Sequence, residues 1–455
     1  MKNIRINKIK ISNFRGIKST ELSFSDFNLI VGNNGTGKTS CLAAIARLIP
    51  ILRNEKRIFL DGDFIFIDDE QAIPIEIYYD FDLKIKESYR NVKMSVKCER
   101  AEVGKNKSRL AAQKHGIVTT NLEEEIKNII KQEDKGKFLT QIIIRNSWNG
   151  GRICPPPIDN DQRPLHAATS QREESLGGLR ARLVQKLQGT KLGKIVDGEH
   201  PNLLENALRF TNKFIGDNRF KDIQIGEGDL LNLVRDNNIV QPWDSLSGGE
   251  QTAFKLAMSA ESSIALNSQF LIFEEPENSL HPSIQRDFIK VIKQYLPKNQ
   301  IFFSTHSPYI LKNHIGEAEL IVGQKNGNEI FLHNPPMDNR LFSNISWGEL
   351  SYYAYDLATF EYHNELYGWI QERTEKWSIM SVDNYLNEKG IKQDKVWIKQ
   401  KKSGEKEQNV TIMTYIRNFT HHPENTLNKQ YDEHELHQSI TELREIAYDI
   451  RAENC

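Results

Sequence analysis

Cysteine is scarce in this chain. Cys41, Cys98, Cys154 and Cys455 lie far apart, in no spacing that builds a metal site or a disulfide framework. That excludes a disulfide-stapled scaffold and a zinc module, and it suits a reducing cytosol, so a cytoplasmic location is expected. No apolar run reaches the roughly 20 residues that span a bilayer, and no signal peptide is read, so no membrane partner is expected. An excess of one charge is also missing. Sixty Lys and Arg face 61 Asp and Glu, a net charge of −1, so bulk attraction to nucleic acid is excluded while a local basic groove is not. No internal repeat, low-complexity tract or sustained heptad is present, which excludes a long coiled-coil arm. What remains is a chain of 455 residues, enough for two or three domains.

Residues 32–39 read Gly-Asn-Asn-Gly-Thr-Gly-Lys-Thr, a full match to G-x-x-x-x-G-K-[ST]. Leu29-Ile30-Val31 before it predicts a buried strand, and a helix is predicted over residues 39–48. The glycines let backbone N–H groups wrap phosphates. Lys38 would reach the β- and γ-phosphate oxygens, and the Thr39 hydroxyl would ligate Mg²⁺. The candidate nucleotide-binding set is Gly32, Asn33, Asn34, Gly35, Thr36, Gly37, Lys38, Thr39 and Ser40, with ATP and Mg²⁺ as expected cofactors.

Phe270-Leu271-Ile272-Phe273 followed by Glu274-Glu275-Pro276 predicts a buried strand that delivers two carboxylates to a sheet edge. Glu274 is expected to hold Mg²⁺ through water, and Glu275 to polarise an attacking water. A second strand, residues 300–303, ends at Ser304-Thr305-His306, where His306 would sense the γ-phosphate. Leu246-Ser247-Gly248-Gly249-Glu250-Gln251 resembles the signature loop of ABC-type ATPases. That resemblance implies ATP closed between two copies of the chain, with Ser247, Gly248, Gly249 and Glu250 acting in trans. The N–H groups opening the helix over residues 250–259 would form the anion site. Residues 277–282 resemble the loop that crosses between such heads. Residues 9–18, with the Asn13-Phe14-Arg15 turn, resemble the opening of SMC, RecF and OLD-type ATPases, which implies Asn13 and Arg15 near the base or α-phosphate. Glu274 stands where most of these families have Asp.

Together the motifs predict an α/β fold: an ABC/SMC-like P-loop ATPase head with a helical insertion and a mostly helical C-terminal domain. The expected boundaries are 1–99 for the first ATPase lobe, 100–215 for a mixed helical insertion, 216–334 for the second lobe and 335–455 for a docking domain. Within the insertion, helices are predicted over 121–131, 169–190 and 202–214, and a loop over 149–165. The ATPase sheet is expected to end after Val322, and Asn334-Pro335-Pro336 marks a linker. In the tail, helices are predicted over 347–359, 361–374 and 436–451, with strands at 395–398 and 409–412.

Arg417-Asn418-Phe419-Thr420-His421-His422 fits the R-x(4)-H pattern of HEPN ribonucleases. Arg417 would neutralise a scissile phosphate, Asn418 orient it and His422 move the proton, while Pro423 ends any helix at His422. An HNH site at His421, His422 and His434 lacks the needed spacing, and no Asp-x-Asp follows residue 322 to make a TOPRIM nuclease. The head motifs, with Trp347-Gly348-Glu349-Leu350, Glu361–Gly368 and the Tyr415–Asn425 stretch, are similar to Septu-type anti-phage defence ATPases, including retron-associated forms, and more distantly to the PARIS ATPase. The resemblance implies a sensor and scaffold that oligomerises with itself and holds or restrains a neighbouring effector nuclease. Nucleic acid such as retron msDNA or tRNA would be a further partner. Two other functions stay open: a self-contained ATP-gated ribonuclease using Arg417 and His422, and a RecF-like DNA-repair ATPase.

Overall fold

The structure, a computed structural model, describes residues 4–54, 58–59, 61–67, 71–85, 88–100, 116–134, 141–145, 171–173, 203–226, 230–265, 270–296, 299–314, 317–327, 329–335, 346–401 and 404–453. Apolar–polar alternation builds the first strand, β1 (Ile4–Phe14), which buries Ile4, Ile6, Ile9 and Ile11. The inward set switches from even to odd numbers because a bulge shifts the register between Ile6 and Lys8. Gln300 is fully buried there. Its amide accepts from Ile6 N–H (2.8 Å) and donates to Ile6 O (2.7 Å), which satisfies the backbone at the bulge.

After β1 come β2 (Ile17–Ser23), β3 (Phe27–Gly32), α1 (Lys38–Ala46), α2 (Leu48–Leu52) and the small pair β4 (Ile65–Ile67) and β5 (Gln71–Ile73). They are followed by β6 (Ile75–Ile85), β7 (Ser88–Arg100), β8 (Gly116–Thr120), α3 (Glu124–Asp134), β9 (Gln141–Arg145), β10 (Gln171–Glu173) and α4 (Leu203–Ile215). A three-stranded sheet, β11 (Phe220–Gly226), β12 (Leu230–Arg235) and β13 (Val240–Pro242), precedes α5 (Gly248–Ala265). The unit closes with β14 (Phe270–Glu274), α6 (Pro282–Tyr295), β15 (Gln300–Ser304), α7 (Pro308–His314), β16 (Glu319–Asn326) and β17 (Glu329–His333).

Among the described residues, twelve strands form one sheet in the order β10-β9-β14-β15-β3-β16-β17-β2-β1-β6-β7-β8. From β10 to β16 the pairs are parallel, and from β2 to β8 they are antiparallel. β17 joins the halves, antiparallel to β16 and parallel to β2 at Ile330 and Ile17. Helices α1 and α2 share one core with the antiparallel half, and Tyr79 Oη donates to Ala44 O (2.7 Å). On the parallel half, Phe214 packs edge-on to Phe288, and Phe288 to Phe303, which links α4 and α6 to β15.

Several expectations are corrected here. The sheet does not end after Val322, because β17 lies beyond it. Residues 100–215, expected as a mixed helical insertion, also supply strands to the main sheet: β8 forms one edge, and β9 and β10 form the other. Residues 171–173 form a strand where a helix was expected, while the rest of 169–190 and the 149–165 loop lie outside the described residues. The first helix runs over Lys38–Ala46, with a separate turn of helix at Leu48–Leu52.

Residues 336–455 form a second compact unit. Its elements are α8 (Trp347–Tyr355), α9 (Phe360–Arg373), α10 (Ile379–Glu388), the hairpin β18 (Lys395–Lys401) and β19 (Gly404–Val410), α11 (Ile412–His421) and α12 (Glu433–Glu453). Ser346, Thr359, Ser378 and Thr411 each cap a helix through a side-chain oxygen. Tyr362, Leu366, Val382, Ile416, Ile440 and Leu443 belong to the core between these helices. Of the tail expectations, 361–374 and the two strands lie close to observed elements, whereas α10 was not read from the sequence. Among the described residues no helix is long and apolar enough to cross a membrane.

Candidate functional site

In an open parallel sheet, ligands collect at the carboxyl ends of the strands. Here β3, β15 and β14 end side by side at Gly32, Ser304 and Glu274, and each carries a motif. Beyond β3 the chain turns through residues 33–37 into α1. The turn needs positive φ at Gly32 (141°), Gly35 (76°) and Gly37 (88°). A Cβ on Gly32 would lie 2.4 Å from Gly323 O, and one on Gly37 would lie 2.5 Å from Ile330 Cγ2, so crowding and conformation both demand glycine. Asn33, Asn34 and Gly35 are exposed, whereas Thr36 and Lys38 are buried. Lys38 Nζ donates to Gly32 O (2.9 Å) and Asn33 O (2.8 Å). Burial lowers its pKa from the ordinary lysine value, against the pull of Glu275, Glu277 and Glu274. The cation therefore stands inside the loop on neutral carbonyls, which phosphate oxygens would replace with charge-assisted bonds.

Thr39 Oγ1 donates to Glu274 Oε1. A hydroxyl and a carboxylate in contact are oxygen ligands of the kind Mg²⁺ takes, so the residues present fit that ion. Glu275 follows with φ 46°, a left-handed conformation that costs a non-glycine residue of order 1 kcal/mol or more. Its N–H donates to Ser304 O (2.9 Å), which fixes the turn to β15. The carboxylate then meets His306, with Oε1 3.0 Å from Nε2. Burial, then Lys38, lowers the His306 pKa from its ordinary value, while Glu275 opposes both. Burial and Lys38 thus favour the neutral ring, while the contact with Glu275 favours the charged one.

Motif reading placed Glu277 only at the start of the 277–282 crossing loop and gave it no role at the strand ends. It is buried, and its Oε1 accepts from Thr305 Oγ1 (2.6 Å) and from His306 N–H (2.8 Å). Its Oε2 is buried with no hydrogen-bond partner. Burial raises its pKa, although the bonds from Thr305 and His306 pull the other way. Glu277 holds the backbone that carries His306. Its signals in the sequence were its place at the head of that loop and a third glutamate in Glu-Glu-Pro-Glu.

The Ser247 loop opens α5 as a capping box: Glu250 N–H donates to Ser247 Oγ (3.3 Å), and Ser247 N–H donates to Glu250 Oε2 (2.9 Å). Glu250 is buried, with Oε1 held by Arg219 (2.8 Å) and Arg235 (3.3 Å). Burial works against its ionisation, yet the bonds from Arg219 and Ser247 prevail and its pKa is lowered. Glu250 is therefore a brace for the loop, while Ser247 and Gly248 face solvent. A Cβ on Gly248 would come 3.0 Å from Ser279 Cβ, and one on Gly249 3.1 Å from Ser279 O. The two glycines thus let α5 dock on the loop that follows Glu275.

Asn13 (φ 58°), Arg15 (φ 46°) and Gly16 (φ 87°) make the turn between β1 and β2. Arg15 binds the buried Asp63, which also takes Arg47 Nη2 at 2.9 Å. Ser40 Oγ donates to Arg15 O (3.1 Å), and Asn13 Nδ2 donates to Pro74 O (3.3 Å). The turn is thus tied to the first turn of α1, beside the phosphate loop, by side chains that serve as struts. Asp63, their common anchor, was not read from the sequence.

In the C-terminal unit, α11 ends at His421 and His422 is its C-cap. Arg417 Nη1 donates to the neighbouring Asn418 Oδ1 (3.3 Å), and His422 Nδ1 lies 3.2 Å from Glu424 Oε1. Asn418 is buried. The three motif residues therefore share one helix end, each with a local partner.

Among curated proteins the chain is similar to the OLD nuclease of Thermus scotoductus, 25% identical over 328 residues, covering 67% of this chain. The chain spans 59% of the length of that relative. It is also similar to the "Retron Vc95 probable ATPase" of Vibrio cholerae, 20% identical over 387 residues, covering 70% of this chain and 74% of that protein. Solved structures that match include the SMC head domain from Thermotoga maritima, at 14% identity and TM-score 0.42, covering 73% of this chain and 100% of that one. A second is the Smc head domain with an extended coiled coil derived from Pyrococcus furiosus, at 15% identity and TM-score 0.44, covering 72% and 96%. The family model described as "AAA domain, putative AbiEii toxin, Type IV TA system" matches residues 27–312, more than half of the sequence, and the chain belongs to that AAA-domain family.

Proposed function

We propose that this protein binds and hydrolyses ATP between two copies of its head, and that it serves as the sensor and scaffold of a bacterial anti-phage defence complex. The observation that carries the first part is the composite of Lys38, Thr39–Glu274 and Glu275–His306 at adjoining strand ends, with Ser247 and Gly248 exposed at the start of α5. In this reading Lys38 releases Gly32 O and Asn33 O to hold the β- and γ-phosphates. Glu275 accepts a proton from the attacking water, and His306 orients that water through its bond to Glu275. Bound at Thr39 and Glu274, Mg²⁺ would offset phosphate charge. Asn13 and Arg15 brace the wall near the base. Ser247, Gly248 and Gly249 of a second copy complete the γ-phosphate site, and Glu250 keeps that loop in shape.

The likeness to an OLD nuclease and to a retron ATPase supports a defence role, and the Septu-like control of a partner nuclease is carried by the sequence motifs of the C-terminal region alone. The complex should be purified after co-expression with the flanking genes and weighed intact with ATP and Mg²⁺. A heavier assembly containing a second protein or a nucleic acid is expected. A bare homodimer would contradict the scaffold role.

A further inference from the structure

The Arg417–His422 segment is not used by the ATP site, and its neighbours suggest a use. Trp397 of β18 is buried and seats the hairpin on the end of α11, with its ring centroid 5.6 Å from that of Tyr415 and 6.4 Å from that of His422. The turn after α11 is stitched to the same strand, since Asn425 Nδ2 (2.8 Å) and Asn428 Nδ2 (3.0 Å) both donate to Ile398 O. Side chains alternate across a strand, so Lys399 lies on the same side of the hairpin as Trp397. Its cross-strand partner is Lys406. Two ammonium groups directly opposed repel each other, and no ion pair to either is found among the described residues. Glu405 and Glu407 alternate to the opposite face. The hairpin therefore segregates its charges, with lysines on the side of His422 and glutamates away from it.

His421 and His422 are exposed at the end of α11 that Trp397 packs against, on the side of the hairpin that carries Lys399 and Lys406, and Arg417 lies one helical turn before His421. Burial, then Arg417 and His422, lower the His421 pKa from its ordinary value. Glu424 holds the His422 edge. In sequence, Lys392, Lys395, Lys399, Lys401 and Lys402 fall within residues 392–402 of a protein whose net charge is −1. Lys395 is committed to Glu435. Repelling cations on one face, beside flat imidazole rings, match what a single-stranded nucleic acid offers: phosphates for the cations and base faces for the rings. An acidic peptide would use only the charges.

We propose that the face formed by Lys399, Lys406, Arg417, His421 and His422 binds the backbone of a single-stranded nucleic acid. Binding there needs no cleavage and does not depend on the ATP site.

The test uses the full chain and fluorescein-labelled 20-mers of mixed sequence, one RNA and one DNA, followed by anisotropy over a salt series. Lys399→Glu/Lys406→Glu should weaken binding about tenfold or more at 0.1 M salt and reduce the log–log salt slope by about 1.4, near 0.7 per lost phosphate contact. Lys38→Ala should bind as the unmodified protein does. RNA and DNA compared at one salt concentration show which sugar is preferred. The proposal is overturned by no binding in the unmodified chain, by unchanged affinity and slope in the double variant, by loss of binding in Lys38→Ala, or by equal competition from poly-glutamate. Both lysines are exposed, so circular dichroism of the double variant should match that of the parent.

Discussion

Glu277 and Lys38 set the behaviour of His306 from opposite sides. Glu277 holds the backbone N–H of His306, and Lys38 lowers the affinity of its ring for a proton. Glu277→Ala removes the acceptor for Thr305 and His306. ATP turnover is expected to fall about tenfold or more, roughly 1.4 kcal/mol in the barrier, while Glu277→Gln keeps an acceptor oxygen and stays near the parental rate. Steady-state kinetics on both variants decides this, and a fully active Glu277→Ala would remove Glu277 from the site. Lys38→Ala should raise the His306 pKa, seen in the pH titration of its imidazole NMR signal. An unchanged midpoint would mean that burial alone sets it. The motif residues were legible because a phosphate loop and a strand-end acid pair have fixed spacing. Glu277 and Asp63 were not, because a buried carboxylate becomes recognisable only once the fold places Thr305, His306, Arg15 and Arg47 around it.

Elements show the same contrast. The Ser-Gly-Gly-Glu run opens α5 as a capping box and also presents Ser247 to solvent, so one sequence serves helix geometry and proposed pairing together. Ser247→Ala should cost about 1 kcal/mol of stability through the lost cap. Ser247→Arg should instead abolish ATP-dependent pairing by placing bulk at the γ-phosphate. Light scattering on each variant, with and without ATP, separates the two effects. β1 was legible from alternation, although its bulge was not, since the partner of Ile6 is Gln300, 294 residues away. Gln300→Ala would orphan two buried backbone groups, and a loss of about 3 kcal/mol is expected, read from the urea midpoint of the head. An unchanged midpoint would show that the bulge finds other partners. β9 and β17 were missed because each offers only a short apolar run, Ile142–Ile144 and Ile330–Leu332, with no motif at its end.

At the scale of the whole molecule, near-zero net charge conceals local order: three carboxylates around Lys38 in the head, and lysines segregated from glutamates on the tail hairpin. Composition could exclude a membrane span and a bulk polyanion binder, but not a local cluster. The head was legible as a P-loop α/β unit because its motifs come in order on strands that end side by side. The tail was only partly legible, since α10 carries no motif and its place follows from packing into the helical core.

The central claim is that ATP joins two heads. Glu275→Gln retains the phosphate loop and should lose the base that activates water. Its mass should be measured by light scattering with Mg²⁺, with and without ATP. The account predicts a stable, ATP-dependent dimer or higher even-numbered assembly that outlives the one formed by the unmodified chain. If Glu275→Gln binds ATP yet shows no ATP-dependent increase in mass, the paired-head account is wrong.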